Sequence, residues 1–318
     1  GGLESSVANL FSPGDRVVVP VTGYFGDRFA RIAEAFHLDV RRVEYDWGRA
    51  VDVADVEEAL GEAPTKGLLF QHSETSTGVI NDVEPIARAA KEAGALTALD
   101  VISSAGAVPL ETDAWGIDVA IGGSQKALSA TPGIAFASIS EAAWAAHRES
   151  TNPRFYFDWT ADRKAYEREN PEAPWTPAIS LMLGLREALR LYLEEGAEAV
   201  LRRHELLSTA TKEGVRALGL DLFGEHPERA WAVTTVRVPD GVDGKAIPAK
   251  MRADHGIIIA GGQGPLAGRV FRIGHLGYYD RFDIVRCLAA LELTLMDLGY
   301  PAKPGSAVAA AEEVFARA

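Results

Sequence analysis

The sequence contains only one cysteine, Cys287, among its 318 residues. A single thiol excludes an internal disulfide framework and any metal site built from paired cysteines. Scarce cysteine is typical of a reducing compartment, so we expect a cytoplasmic protein. The chain begins at Gly1 without a methionine, and no signal-peptide pattern follows. We expect part of the natural N-terminus, with any targeting signal in it, to lie upstream of Gly1.

Positive charge and long apolar runs are also scarce. The sequence has 32 Lys and Arg against 45 Asp and Glu, which gives a formal net charge of −13. Clustered cations are needed to bind phosphate backbones and anionic membranes, so neither nucleic acid nor a membrane is an expected partner. No apolar run reaches the roughly 18 residues of a membrane-spanning helix. With 47% hydrophobic residues, the chain has the composition of a globular protein of one or two domains.

Several common catalytic motifs are missing as well. No G-x-G-x-x-G follows the first predicted strand, which gives a nicotinamide dehydrogenase little support. Neither a G-x-S-x-G elbow nor an H-E-x-x-H motif occurs. The seven histidines are scattered along the chain, so no metal site is expected.

The first half of the sequence alternates almost continuously apolar segments with segments of helical periodicity. The predicted strands are Arg16–Pro20, Val40–Tyr45, Lys66–Gln71, Leu96–Asp100, Asp118–Ile121 and Ile134–Ile139. The predicted helices are Tyr24–Phe36, Val53–Leu60, Val83–Ala93 and one at the start that contains Leu3, Val7 and Leu10. Strands that are apolar throughout are typical of sheets covered by helices on both faces. The alternation therefore predicts an α/β fold with a mostly parallel, doubly wound sheet.

The alternation stops between Thr151 and Pro177, where prolines separate aromatic and charged residues. We predict a long irregular segment here that forms part of a subunit interface. The later predicted helices are Ala178–Glu195, Ala197–Leu218, Lys245–His255, Asp280–Leu298 and one after Pro304. The later predicted strands are Trp231–Val238, Gly256–Ala260 and Val270–Ile273. This pattern predicts a large domain over residues 1–195 and a smaller α+β domain over residues 196–318.

Candidate functional residues are expected where the parallel strands end, because open α/β sheets bind ligands at that edge. Asp100 ends an apolar strand, and Lys126 follows another strand and the pair Gly122-Gly123. A buried carboxylate needs a cationic partner, and a pyridinium nitrogen is one such partner. A buried lysine has a lowered pKa and a nucleophilic amine, which suits a Schiff base. A capping role for Asp100 and an exposed loop position for Lys126 remain open at this point.

Further segments, taken in order with these two residues, carry a family resemblance. They are Ala8–Asp15 (ANLFSPGD), Gly23–Gly26 (GYFG), His72–Gly78 (HSETSTG), Gly123–Leu128 (GSQKAL), Thr176–Leu181 (TPAISL) and Arg272–Gly274 (RIG). Together they resemble the class V, fold type I aminotransferases that depend on pyridoxal 5′-phosphate (PLP), and most of all the alanine–glyoxylate and serine–pyruvate branch. The resemblance runs through nearly the whole chain and implies the large PLP-binding domain of that fold with a smaller C-terminal domain.

The resemblance implies a role for each matching residue. Lys126 would form the Schiff base with PLP and then shuttle protons, and Asp100 would pair with the ring nitrogen. Phe25 and Ile102 would pack on the two faces of the ring, and Arg272 would bind the substrate carboxylate. Contacts to the phosphate or to a nearby cofactor oxygen are implied for Gly1, Gly2, Leu3, Thr75, Gln125 and, in the neighbouring subunit's site, Thr176.

These roles have plainer structural alternatives. The two ring-packing residues are alternatively core residues, Thr75 a turn hydroxyl and Arg272 a surface charge on an edge strand. His72 and His275 lie near the matching segments, and both fit structural histidines better than catalytic ones.

The resemblance implies transamination from alanine or serine to glyoxylate or pyruvate, in a homodimer with shared active sites. An aminoethylphosphonate–pyruvate transaminase and a cysteine desulfurase on the same fold remain alternatives. Such desulfurases use a loop cysteine and usually a histidine before the Schiff-base lysine, whereas this chain has Gln125 there and its Cys287 in a predicted helix. A catalytically silent subunit is the third alternative, and the presence of Lys126, Asp100 and Arg272 argues against it. Family members carry an N-terminal arm and roughly one further helix before the segment that begins this chain.

Overall fold

The structure is a computed structural model that describes all residues from Gly1 to Ala318. The strands are β1 (Arg16–Val21), β2 (Asp39–Glu44), β3 (Gly67–Gln71), β4 (Ser73–Glu74), β5 (Val79–Ile80), β6 (Leu96–Asp100), β7 (Val119–Gly123), β8 (Ala135–Ile139), β9 (Val233–Arg237), β10 (Ala260–Gly261) and β11 (Val270–Gly274). The helices are α1 (Gly2–Leu10), α2 (Tyr24–Ala35), α3 (Val53–Gly61), α4 (Val83–Glu92), α5 (Glu141–Glu149), α6 (Trp159–Tyr166), α7 (Ile179–Glu195), α8 (Ala197–Ala217), α9 (Ala246–His255), α10 (Arg281–Asp297) and α11 (Ser306–Arg317). None of these helices combines the length and the apolar character needed to cross a membrane.

A six-stranded sheet with the strand order β2-β1-β3-β6-β7-β8 organises the first part of the chain. Its first five strands are parallel, and β8 alone runs antiparallel to its neighbour β7. Parallel neighbours need crossover connections: α2, α3 and α4 supply three of them, and the helix-free segment 101–118 connects β6 to β7. The predicted mostly parallel α/β sheet is therefore confirmed.

Apolar cores cover both faces of the central strands of this sheet. In β3, every residue is buried, and the side chains of Leu68 and Phe70 belong to a different core cluster from that of Leu69. The first cluster includes residues of α3 and α4, and the second includes residues of α1 and α2. Alternate side chains of a strand point to opposite faces, so a strand packed on both faces is apolar throughout.

The later part of the chain has a sheet and a core of its own. Its antiparallel sheet has the order β10-β11-β9, which makes β11 the central strand. A separate apolar cluster joins this sheet to α8, α9, α10 and α11. Helix α10 begins with a capping box between Asp280 and Asp283. The domain boundary near Gly196, between α7 and α8, stays a prediction.

Two predictions about local structure were wrong in part. The strand expected over Gly256–Ala260 is reduced to the two residues of β10, because Gly256 ends α9 in the left-handed region and only Ala260 and Gly261 pair with β11. The segment from Thr151 to Pro177 was expected to be irregular but contains α6. Asp158 caps α6 by accepting a hydrogen bond from the Thr160 amide at 3.0 Å, and Trp159 at its start is buried.

The close approach of α1 to the sheet generates a prediction about Gly67 in β3. A Cβ at this position would overlap the ring of Phe11, which is 1% exposed and belongs to the core cluster that contains Leu69. We expect Gly67→Ala to lower the free energy of unfolding by about 1–3 kcal/mol through overpacking. Urea unfolding measures the change. Gly61→Ala, at an exposed helix end with nothing within 4 Å of the new methyl group, is the matched control and should leave stability equal or slightly higher. Equal stability of the two variants would contradict this packing.

Candidate active site

The candidate site lies where three neighbouring parallel strands end. The strands β3, β6 and β7 are adjacent, with Asp100 in register with Gln71 on one side and Ile121 on the other. The loop His72–Gly78 follows β3, and Lys126 follows β7. Because the carboxyl ends of parallel strands meet at one edge of a sheet, the fold brings this loop, the carboxylate and the lysine to the same edge.

The Asp100 carboxylate is buried and has no cation bonded to it. The side chain is 6% exposed, and its Oδ1 accepts a hydrogen bond from the Ile102 amide at 2.8 Å. Burial raises the pKa of Asp100 to about 7, and the nearby charge of Glu74 adds to the rise, whereas the Ile102 amide and the charge of Lys126 oppose it. The local capping contact that the sequence left open is present. It occupies one oxygen, so the carboxylate keeps the capacity to accept a hydrogen bond from a cationic ligand group.

Lys126 is half-buried, and no hydrogen bond or ion pair holds its Nζ. Burial lowers the pKa of this amine, and the charge of Arg272 lowers it further, while Asp100 acts in the opposite direction. A lysine in such surroundings loses its proton more readily and becomes a better nucleophile and base. The structure therefore does not place Lys126 in an exposed loop position, which was the alternative that the sequence left open.

Arg272 connects β11 to the loop that follows β3. Its Nε and Nη2 donate to the carbonyl of Gly261 at 3.1 and 3.0 Å, and its Nη1 donates to the carbonyl of Thr75 at 2.9 Å. Because β11 is the central strand of its sheet, the alternative of an edge-strand surface charge is wrong. Each terminal nitrogen of a guanidinium carries two N–H groups, so each keeps one for a carboxylate. Burial lowers the pKa of Arg272, and the nearby Glu74 opposes this.

Three further predicted site residues lie on the loops and helix that border this edge. Thr75 is buried, and its Oγ1 accepts a long hydrogen bond from the hydroxyl of Ser103 at 3.5 Å. Phe25 is half-buried in the first turn of α2, with the guanidinium carbon of Arg28 5.0 Å from its ring centroid. Ile102 is half-buried and packs against the core cluster that contains Leu69. The structure thus leaves part of the Phe25 and Ile102 side chains exposed.

Sequence analysis missed two residues of the same loop, Glu74 and Ser76, which hold the start of α2. The Glu74 carboxylate is fully buried, and its Oε2 accepts hydrogen bonds from the amides of Phe25 and Gly26, each at 3.0 Å. The Ser76 hydroxyl accepts from the Tyr24 amide at 2.9 Å and donates to Glu74 Oε1 at 2.5 Å. Side chains of this loop therefore satisfy the first three amides of α2.

Gly23 is the signal that would have pointed to this contact. A Cβ on Gly23 would lie 2.5 Å from both the Glu74 side chain and the Ser76 hydroxyl, so only glycine allows the loop to approach. Burial raises the pKa of Glu74, and the hydrogen bonds from Ser76, Gly26 and Phe25 oppose that rise by stabilising the carboxylate.

The remaining predicted site residues are less closely tied to these groups. The segment Gly1–Leu3 opens α1 against the sheet, and a Cβ on Gly2 would lie 2.6 Å from the side chain of Ile121. The first amides of a helix have no partner within it and suit an anion. Gln125 and Thr176 are exposed, and the structure does not bring either side chain into hydrogen bonds with the site.

His72, His275 and the single thiol of the chain are unsuited to proton transfer at neutral pH. Burial lowers the pKa of His72 to about 4 and that of His275 to about 3, and the Nε2 of His275 lies 2.9 Å from the Thr234 hydroxyl. Burial raises the pKa of the Cys287 thiol in α10 to about 11. These residues are therefore uncharged structural groups.

Comparison with known proteins places this geometry in a family. Residues 3–272 match the family model described as Aminotransferase class-V. A Synechococcus protein described as soluble hydrogenase, small subunit, is 41% identical over 100% of this chain and 83% of its own length. Serine–glyoxylate aminotransferase from Arabidopsis thaliana is 37% identical over 98% of this chain and 79% of its own length.

A solved structure agrees with these sequence matches. The crystal structure of ureidoglycine–glyoxylate aminotransferase from Bacillus subtilis superposes with a TM-score of 0.94 at 34% identity, and covers 99% of this chain and 82% of that one. Because the family model spans most of the chain and these relatives share more than a third of its residues, the chain belongs to the class V aminotransferases and is a transaminase.

Proposed function

We propose that this transaminase depends on PLP and moves the amino group of alanine or serine to glyoxylate or pyruvate. The presence of both Asp100 and Lys126 at one sheet edge is the observation that carries the cofactor assignment. One is a buried carboxylate without a bonded cation, and the other is an amine with a lowered pKa and a free Nζ. Relatives named as serine–glyoxylate and pyridoxamine–pyruvate transaminases support the small substrates.

The residues of the site fit PLP group by group. A protonated ring nitrogen would supply the cation that Asp100 lacks. The half-buried side chains of Phe25 and Ile102 suit the two faces of a flat ring. Phosphate contacts are proposed for Gly1, Gly2, Leu3, Thr75, Gln125 and, across the dimer, Thr176. When bound, PLP supplies an aldehyde carbon that takes up amino groups and a ring that withdraws electrons from them.

Two side chains of this chain would carry out binding and proton transfer. The free N–H groups of Arg272 bind the substrate carboxylate and so orient the substrate Cα. The Nζ of Lys126 would accept the proton that leaves this Cα and would pass it to the other carbon bonded to the amino nitrogen. Arg272 also lowers the pKa of Lys126, which favours the neutral amine that this step requires.

The assembly and the domain organisation are part of the same proposal. We propose a cytoplasmic homodimer with active sites shared between subunits, in which residues 1–195 and 196–318 form two domains. Helix α7 supports the dimer, because none of its 17 residues is buried although many are apolar. An apolar helix without cover is typical of a subunit interface.

A role as a subunit of a larger enzyme is a second candidate. The Synechococcus relative, described as the small subunit of a soluble hydrogenase, favours it. A silent subunit has no need of a free amine beside a buried carboxylate, and such groups lower stability. A cysteine desulfurase has less support, because the only thiol, Cys287, is 9% exposed within α10.

Replacement of Lys126 tests the proposed function directly. We expect Lys126→Ala to fold normally and to lose at least about 100-fold in turnover, because the proton acceptor is gone. Production of alanine, glycine or the matching oxo acid is measured with alanine, serine and 2-aminoethylphosphonate as donors. Lys66→Ala, at an exposed lysine next to β3, is the control and should keep full turnover. Wild-type activity in Lys126→Ala, or an exclusive preference for the phosphonate donor, would refute the assignment.

Arg272→Lys tests the proposed carboxylate contact. The variant keeps the charge but loses the two-pronged guanidinium, so we expect the KM of the amino donor to rise about 10- to 100-fold. Steady-state kinetics at several donor concentrations give KM and kcat separately. The control is Arg269→Lys, at an exposed arginine just before β11. A donor KM equal to that of the control would show that Arg272 does not bind substrate.

The raised pKa of Asp100 predicts how stability depends on pH in the absence of cofactor. Between its ordinary value of 3.8 and about 7, the folded state keeps a proton that the unfolded state releases. The contribution of Asp100 to stability therefore falls as pH rises through this range and is constant above it. We expect Asp100→Asn to remove this fall and to be more stable at pH 8 by up to about 4 kcal/mol.

Urea unfolding of the cofactor-free protein at pH 5 and pH 8 measures this difference. Asp113→Asn, at an exposed aspartate, is the control and should follow the wild type. If Asp100→Asn had the same pH profile as the wild type, other groups in the folded protein would stabilise the Asp100 carboxylate, and the prediction from its raised pKa would be wrong.

A further inference from the structure

Helix α2 begins without a capping side chain of its own. Its N-cap residue is Gly23, and no side chain from the preceding segment bonds its first amides. The amides of Tyr24, Phe25 and Gly26 are instead bonded by Ser76 and Glu74, which lie about fifty residues later in the chain. The start of α2 therefore depends on the position of the loop after β3.

The same loop holds other parts of the site. Thr75 lies between Glu74 and Ser76, and its carbonyl accepts the hydrogen bond from Arg272 Nη1. The two flanking side chains bond α2, so one short segment fixes both Phe25 and Arg272. Glu74 also acts electrostatically on Asp100 and Arg272, although it bonds neither of them.

We propose that Glu74 is a positioning residue of the transaminase site, which fixes the start of α2 and the Phe25 ring against the loop that carries Thr75 and anchors Arg272. The inference rests on the proposed function, because it takes PLP as the ring on which Phe25 packs. It predicts that loss of the Glu74 carboxylate weakens cofactor binding by more than the loss of a helix cap explains.

The contacts of Glu74 require a carboxylate rather than an amide. Every group bonded to its two oxygens is a donor: the amides of Phe25, Gly26 and Ser76 and the hydroxyl of Ser76. In Glu74→Gln, an NH₂ at the Oε2 position would face the amides of Phe25 and Gly26 and could bond neither. At the Oε1 position it could donate only to the Ser76 hydroxyl and would leave the Ser76 amide without its acceptor. A buried N–H without an acceptor is costly, so α2 would move or open at its start.

Glu292 provides a matched control for the purely structural effect. It is a buried glutamate in α10 that bonds the amides of Gly305 and Ala307, at 3.0 and 2.6 Å, and so caps α11, which also begins after a glycine. Glu292 therefore makes the same kind of contact in the part of the chain that holds α10 and α11. Glu292→Gln should lower stability for the same reason as Glu74→Gln without moving Phe25.

The experiment compares wild type, Glu74→Gln, Ser76→Ala and Glu292→Gln. Hydrogen exchange of the amides of residues 24–26 is measured on the cofactor-free protein, and the dissociation constant of PLP is measured by fluorescence titration. We expect Glu74→Gln to speed this exchange at least 10-fold and to weaken PLP binding about 10- to 100-fold. Ser76→Ala should change both in the same direction and by less. Glu292→Gln should lower the unfolding midpoint and leave both unchanged.

Each result separates this inference from the proposed function. Wild-type protein that does not bind PLP would overturn the proposed function and this inference with it. Wild-type protein that binds PLP, with Glu74→Gln binding equally well, would overturn this inference alone. Equal weakening of PLP binding in Glu74→Gln and Glu292→Gln would also overturn it, because global stability would then account for the effect. If Glu74→Gln does not fold, Ser76→Ala decides by the same two measurements.

Discussion

The Asp100 carboxylate lies buried at the end of β6 with one amide bonded to it and no cation within hydrogen-bond reach. Folding has to desolvate this group, which raises its pKa to about 7 and makes the sheet edge less stable at neutral pH than a neutral side chain would. The position of Lys126 reflects the same constraint. Lys126 is close enough to exchange electrostatic effects with Asp100 but makes no ion pair with it, so both groups remain available to a ligand.

Glu74 shows the opposite solution for a buried carboxylate. Its oxygens receive hydrogen bonds from three amides and one hydroxyl, and no charged partner is needed. The positive end of the α2 dipole lies at the same place and stabilises the charge further. Two carboxylates at one sheet edge therefore differ in role because their hydrogen-bond partners differ. The satisfied carboxylate suits a fixed structural position, and the unsatisfied one suits a ligand that brings its own cation.

The sequence could predict those parts of the fold and site that depend on local patterns. Apolar strands and the helices between them follow from periodicity, and the strand ends then place Asp100 and Lys126 at a common edge. The helix cap by Glu74 could not be predicted in this way, because it joins α2 to a distant loop and leaves no periodic signal. Gly23 alone marks the contact, and glycines precede helices for many unrelated structural reasons.

Failures in the secondary-structure predictions have similar causes. The short pair β4 and β5 joins two polar residues to two apolar ones, which is too short a pattern to predict a strand. The strand predicted over Gly256–Ala260 contains apolar residues typical of a strand. On that side of β11, however, only Ala260 and Gly261 form pairs. Tertiary contacts, rather than propensity, decide which of these residues form a strand.

The exposed apolar surface of α7 and β8 bears on how the site is completed. All residues of β8 except the last are exposed, including Phe136, and Leu183 and Leu193 of α7 are 52% and 74% exposed. The two elements are close, because a Cβ on Gly133, just before β8, would lie 2.5 Å from Leu181 of α7. The Tyr192 ring of α7 also borders a cavity of about 200 Å³ lined by Ala127 and Leu128, next to the Schiff-base lysine proposed above.

The uncovered apolar surface of α7 and β8 extends to the turn that contains Lys126. This has a direct consequence for the chemistry. Water in contact with this turn would stabilise the protonated amine and would weaken the electrostatic effect of Arg272 on Lys126. A second subunit packed on α7 and β8 would exclude that water as well as bury apolar area. The proposed dimer would therefore support catalysis by excluding water, in addition to any residue that the partner subunit would contribute to the site.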